Sequence, residues 1–353
     1  MVAPKPQFRS IFVYCFIMKK KYISFGFSVL CALFVAFVAS VLFTANVRNS
    51  EAVVFVPKGT THEQLLDSLR KYGVLKSEFR FKATSELLLY KTVRPGRYLF
   101  EEGENSFSIV RKLRRGQHYP VKFTFNNVRT KDQLMEKLSK YYFLFEWQDL
   151  YKLLNDKEFL AEYNLTPETA IAIFIPDSYE FYYDITAEDF FDKMYGYYQD
   201  FWDGARTEQA KAIGFTPMEV NILASIVEEE NFREPEKAII AGLYVNRLHK
   251  NMLLQSDPTV KYALGNFKLK RVLNEHLQVN SPYNTYRHLG LPPGPIRIPA
   301  KSTVDSVLHY RHHNYLYMCA KEDLSGSHNF TADYSVHLQN ARRYQVAITA
   351  KGL

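Results

Sequence analysis

The chain predicts an α+β protein with one N-terminal membrane-spanning helix, and three observations lead there. Ile23 to Ala45 runs 23 residues without a charge, enough for a helix to cross a hydrocarbon core of about 30 Å. Beyond it, short alternating apolar runs are followed by apolar stripes at helical spacing, the signature of strand-turn-helix units. A content of 47% hydrophobic and 15% aromatic residues over 353 positions provides for two or three packed domains.

The membrane segment comes first. Lys19, Lys20 and Lys21 precede the apolar run, so the positive-inside rule places residues 1–22 in the cytoplasm and everything after Ala45 outside. That describes a single-pass protein of the cell inner (cytoplasmic) membrane. The run exceeds the ~7 to 15 residues of a signal-peptide core and no small-residue cleavage site is evident, so the helix is expected to stay attached. Met18, directly before the lysines, makes a natural start, and residues 1–17 then read as an extension.

Charge and cysteine content narrow the function classes. The formal charge is +8, but Lys5, Arg9 and Lys19 to Lys21 lie at or before the span and no acid does, leaving 40 basic against 37 acidic residues outside. A surplus of three argues against a nucleic-acid partner. Cys319 is the only cysteine past the span, so no internal disulfide framework or cysteine metal site is expected. The ten histidines show no HExxH-like spacing, and neither a metal nor a cofactor is expected.

A weak repeat follows the span. VFVPKGTTHEQLLDSLRKYG (54–73) resembles VKFTFNNVRTKDQLMEKLSKYY (121–142), each reading as a strand, a turn and an amphipathic helix. Between the copies, RPGRYLF (94–100) reads as turn and strand, and SFSIVRKLRRG (106–116) as a helix with a glycine stop. Residues 50–120 therefore form one small α+β module, and 121–353 a second, mixed α+β domain. Helices are expected through Leu150 to Leu160. The aromatic segment FIPDSYEFYYD (174–184) suits either a carbohydrate cleft or a hydrophobic core.

The most informative stretch is TPMEVNILASIVEEE (216–230). Thr216 reads as an N-cap, Pro217 as the first helical residue, and Glu219 as the partner in a capping box. At helical spacing Leu223, Ile226, Val227 and Glu230 fall on one stripe. A carboxyl group ending an apolar stripe has a raised pKa and can hold a proton near neutral pH, as a general acid must. The competing reading is a solvated acidic helix end, and Glu229, off the stripe, fits it. A helix over about Pro235 to His249 follows. Asp257 directly before Pro258 reads as the N-cap of the next helix. SPYNTYRHLGLPPGPIRIPA (281–300), with five prolines and two glycines, predicts a long stiff surface loop of the kind that carries binding groups. A strand over Tyr315 to Lys321, a polar turn GSHNF and a helix over about Ala332 to Lys351 complete the chain.

Taken in order, the anchor, LASIVEEE, NRL, LQSDPTVKYALG, SPYNTYRHLGLPPGPI and a late HNF resemble the YceG-like family of membrane-anchored endolytic murein transglycosylases. The resemblance extends over essentially the whole exported chain. It implies a LysM-like module at about residues 50–120, followed by a catalytic domain that cuts peptidoglycan glycan strands internally, between N-acetylmuramic acid and N-acetylglucosamine, leaving 1,6-anhydro ends. It further implies termination of nascent strands and a link to glycan-polymerising synthases. The family's ASI-hydrophobic-E-x-E pattern falls on Ala224 to Glu230 and makes Glu230 the catalytic glutamate, with Glu228 in reserve. Asp257, together with Ser281, Tyr283, Asn284, Thr285 and Tyr286, matches motifs implied to line the cleft, and Asp177 matches an FPDTYEF-like segment. The chain departs from the resemblance at Phe125 to Thr130, where relatives tend to have a proline-and-glycine turn.

The resemblance implies a chemistry for which one carboxyl suffices: Glu230 would protonate the glycosidic oxygen, the 2-acetamido group would support the oxocarbenium-like centre, and the carboxylate would then deprotonate the C6 hydroxyl that attacks C1. Asp257 or Asn284 would orient the acetamido group or the catalytic carboxyl. Tyr283 and Tyr286 would contact the glycan. The alternatives are hydrolysis, with Asp257 directing a water to C1, and a non-catalytic peptidoglycan-binding scaffold that recruits synthases.

Overall fold

A 37-residue helix, α1 (Gln7–Phe43), opens the structure, a computed structural model that describes residues 7–48, 51–231 and 234–351. Within α1, Met18–Phe43 is long and apolar enough to cross a membrane. Phe25 and Phe34 leave 69% and 66% of their surface exposed, apolar area of the kind that lipid covers. The helix stops two residues short of the expected Ala45, which instead bridges to Asn105. Residues 1–6 of the expected cytoplasmic segment lie outside the described residues.

The chain divides into two compact units: residues up to Pro120 with Tyr182–Asp184, and Val121–Phe181 with Ile185–Leu353. After α1, the first unit runs β1 (Ala52–Val56), α2 (His62–Lys71), α3 (Glu78–Leu87), β2 (Gly96–Phe100) and α4 (Ser106–Arg115). β1 and β2 pair antiparallel, Val54 opposite Tyr98. Their inward residues Val54, Val56, Tyr98 and Phe100 pack on Leu65, Leu69, Phe81, Ile109 and Leu113. The helix ends are written locally. Thr61 and Gln64 form a capping box on α2, and α4 runs from an Asn105 cap to Gly116 in the left-handed conformation. Sequence reading missed α3, whose only local signal is the Ser77 cap. Packing of this unit starts before residue 50. Val47 is fully buried, and the Asn46 side-chain amide donates to the Ser77 carbonyl and Ser106 Oγ, both at 2.9 Å.

In the second unit the repeat recurs as β3 (Val121–Phe125) and α5 (Lys131–Leu138). Leu134, Met135 and Leu138 are buried as Leu65, Leu66 and Leu69 are in α2. Between β3 and α5, Asn127 sits at φ 54°, a left-handed position that Asn tolerates better than most residues. That is how the turn closes without a glycine. α6 (Trp147–Leu153) and α7 (Lys157–Ala161) lead to β4 (Asp177–Phe181), which pairs antiparallel with β3, Phe123 opposite Tyr179. Phe174, Tyr179 and Phe181 are buried against Phe123 and Phe190, so these aromatics are core rather than cleft. α8 (Ala187–Phe201) and α9 (Gly204–Ala212) follow.

The remaining elements are α10 (Pro217–Glu230), α11 (Glu234–His249), α12 (Asp257–Ala263), α13 (Lys301–Leu308), β5 (Tyr317–Ala320), β6 (His328–Thr331) and α14 (Tyr334–Ala350). α10 begins as its sequence dictates, with Thr216 and Glu219 in a capping box and Pro217 in the first turn. It differs from the expected amphipathic helix in burying every residue from Val220 to Glu228. α11 and α13 pack on it through Ile240, Tyr244, Val304 and Val307. Gly242 permits one close approach: a Cβ there would lie 2.3 Å from the Arg311 carbonyl. Two expectations are corrected here. The 281–300 segment does not stay on the surface, because Ile296, Arg297 and Ile298 are buried and the N–H of Ile296 bonds to Ser225 Oγ at 3.0 Å. And HNF is no turn but strand: β6 pairs with β5, Cys319 opposite Asn329.

Candidate active site

Glu230 ends α10 at the wall of an open cavity of about 460 Å³, which Tyr244, Arg247, Asp257, Tyr286, Tyr317 and His328 also line. Two hydroxyls converge on one carboxyl oxygen. Tyr244 from α11 and Ser256 from the turn before α12 each donate to Glu230 Oε1 at 2.5 Å. Burial raises the Glu230 pKa, the two hydroxyl bonds pull it down, the Asp257 carboxylate raises it, and the net shift is upward. Oε1 is thus occupied by donors, and a proton on this carboxyl belongs on Oε2.

The turn before α12 shows why Ser256 is available. α12 begins at Asp257 with Ser256 as the cap residue, one position earlier than the expected Asp257 cap. The Ser256 hydroxyl is committed to Glu230 instead of the helix, while Thr285 Oγ1 holds the Ser256 N–H at 3.0 Å. Asp257, relieved of capping, accepts from the Tyr286 hydroxyl at 2.6 Å and faces the cavity. Gln255, just before, adopts φ 51°, and its side-chain oxygen accepts from Arg247 at 3.2 Å. Arg247 also donates to the carbonyls of Leu316, Leu253 and Leu254, so this buried guanidinium ties α11 to both flanks of the cavity.

The other expected site residues go elsewhere. Thr285 and Asn284 are buried at 1% and 0% exposure and hold the loop: Asn284 donates to the carbonyls of Leu277 and Val279, and Thr285 meets Thr259 Oγ1 at 2.8 Å. Ser281 Oγ accepts from the Tyr283 N–H at 3.3 Å. Tyr283 lines a different cavity, of about 570 Å³, beside Tyr262 and Phe267. Asp177 is ion-paired with Lys301 at the start of α13, which with the Ser178 N–H holds its carboxyl below the usual range. The structure brings only Asp257 and Tyr286 of that set to Glu230.

The neighbouring glutamates are fixed structurally. Glu228 is buried at the N-terminus of α13, where it accepts from the Thr303 hydroxyl and the Ala300 N–H and lies 3.6 Å from Lys237 Nζ. Glu229 is no solvated helix end: it accepts from Arg129 Nε at 2.6 Å and Arg297 at 2.9 Å, with Arg297 in turn bonded to Asn127. Sequence reading also missed Tyr244, Ser256 and His328. All three lie in segments whose motifs stood out, AGLYVNRL, LQSDPTV and HNF, but contacts across 14, 26 and 92 positions leave no periodic trace.

Fold and site together define a mixed α+β protein with a helix-end carboxyl of raised pKa on the wall of an open cavity. The sequence profile of the YceG-like family matches residues 54–343. The endolytic murein transglycosylase of Bacillus subtilis (strain 168) is 28% identical over 305 residues, covering 82% of this chain and 83% of that one. That of Streptococcus pneumoniae serotype 2 is 25% identical over 301 residues, covering 76% of this chain and 54% of the longer relative. Among solved structures, a yceG-like protein of Listeria monocytogenes superposes with a TM-score of 0.55 at 26% identity, covering 82% of this chain and 98% of that one. The chain belongs to the YceG-like family.

Proposed function

We propose that this chain is an endolytic murein transglycosylase, cutting between N-acetylmuramic acid and N-acetylglucosamine within peptidoglycan strands and leaving 1,6-anhydro ends. The observation that supports it most is the Glu230 carboxyl: raised in pKa, held on one oxygen by two hydroxyls, and on the wall of a cavity. Oε2 delivers the proton to the glycosidic oxygen as the bond to C1 breaks. The muramic acid C6 hydroxyl then attacks C1 in place of water. In this reading Asp257 and Tyr286, bonded to each other on the same cavity, receive the 2-acetamido group, which supports positive charge at C1.

The same reading places α1 across the cytoplasmic membrane with its lysine-flanked end inside and the two units outside, next to the wall and to glycan-polymerising synthases. The β-α-α-β order of the first unit supports a LysM-like glycan-binding role for it. Mass spectrometry of uncrosslinked strands incubated with the detergent-solubilised chain tests the proposal. Internal products with anhydro ends are expected from the wild type, with a loss of about 100-fold or more in folded Glu230→Gln. Reducing ends would mean hydrolysis, and no cleavage by the wild type would leave a wall-binding scaffold.

A further inference from the structure

On the cavity wall shared with Glu230, strand β6 contributes His328. Its ring is anchored from behind. Nδ1 lies 2.9 Å from Glu236 Oε2 on α11, and the backbone N–H of His328 donates to Glu236 Oε1 at 3.1 Å. A third donor, the Asn231 amide, reaches the same carboxylate at 2.6 Å. Burial opposes ionisation of Glu236, yet the His328 ring and backbone hydrogen bonds hold its carboxyl below the ordinary range. An ionised carboxylate only accepts. In the neutral ring the proton therefore resides on Nδ1, and Nε2 carries the lone pair. Among the described residues Nε2 has no hydrogen-bond partner, while Glu236, which fixes the ring, is not on the cavity wall.

We infer that His328 is the base of this site and Glu236 its positioning residue, so that acid and base are two groups rather than one. The inference rests on the transglycosylase reading. Glu230 gives its proton to the oxygen leaving C1, the C6 oxygen forms the new bond to C1, and the C6 hydroxyl proton passes to His328 Nε2. Each turnover ends with a Glu230 carboxylate and a His328 imidazolium. Transfer of that proton from the imidazolium to the carboxylate resets both.

The test is kinetic, on the detergent-solubilised full chain with uncrosslinked strands. His328→Asn keeps a side-chain N–H where Nδ1 stands, able to donate to Glu236, but lacks an atom equivalent to Nε2. The expected result is a fall in kcat of about 100-fold with KM little changed, and partial recovery on adding imidazole to His328→Ala. Wild-type kcat in His328→Asn overturns the inference and leaves Glu230 doing both steps. If Asn at 328 does not fold, Glu236→Gln reads the same link: its amide oxygen still accepts from the His328 N–H, reduced kcat is expected, and unchanged kcat counts against the assignment. Absence of anhydro ends from the wild type would instead remove the underlying function, a failure distinct from an active enzyme indifferent to residue 328.

Discussion

Glu230 is held where its charged form is disfavoured, and that has a cost in stability. Its pKa is raised above the ordinary carboxyl value of 4.5 by burial, so the folded chain binds this proton more tightly than the unfolded chain does. Stability from this group is complete below that ordinary value, declines as pH rises through the interval up to the folded pKa, and is lost above it. Glu230→Gln cannot ionise. Thermal melts should therefore show the variant gaining on the wild type as pH is raised from 4 to 8, with little difference at the acid end. An equal gain at both would mean that packing, not ionisation, sets the effect. A protein more stable without its acid is the usual mark of a site kept against the preference of the fold.

Among the elements, α10 shows both what local sequence determines and where it stops. Its start, at Thr216, Pro217 and Glu219, follows from short-range hydrogen bonding and was legible; so were the paired strand-turn-helix units, because QLLDSL and QLMEKL state their buried positions at helical spacing. What Glu228 and Glu229 do was not legible, since their partners Thr303, Arg129 and Arg297 lie 68 to 100 positions away. Nor was the cleft apparent beyond Glu230, Asp257 and Tyr286: Asn284 and Thr285 are polar and loop-borne, yet their side chains turn inward to hold backbone and neighbouring hydroxyl groups. Glu229 gives the test at this scale. Its carboxylate is 14% exposed and faces an Arg297 side chain exposed at 2%. Glu229→Ala should cost about 3–5 kcal/mol, the range for removing one partner of a buried ion pair, read as a lowered denaturation midpoint. A change within a few tenths would show the pair to be dispensable.

For the molecule as a whole, the junction after the apolar helix matters more than its length. Val47 is fully buried in the first unit and Asn46 bonds across it, so a soluble fragment should begin at Thr44 rather than at Glu51. Loss of Val47 alone forfeits about 1.5–3 kcal/mol of apolar burial. Paired melts of the two fragments check this, with the shorter expected to unfold earlier, and coincident midpoints would show that residues 44–50 add nothing.

The complete burial of α10 has a consequence for how the molecule opens. From Val220 to Val227 every residue is buried, so amide protons there are released to water only by the larger openings that undo the surrounding helices. At Asn231 the backbone leaves the helix for an extended conformation, φ −151°, and that protection ends within a turn. Glu230 stands on this boundary, at the end of a helix that scarcely opens.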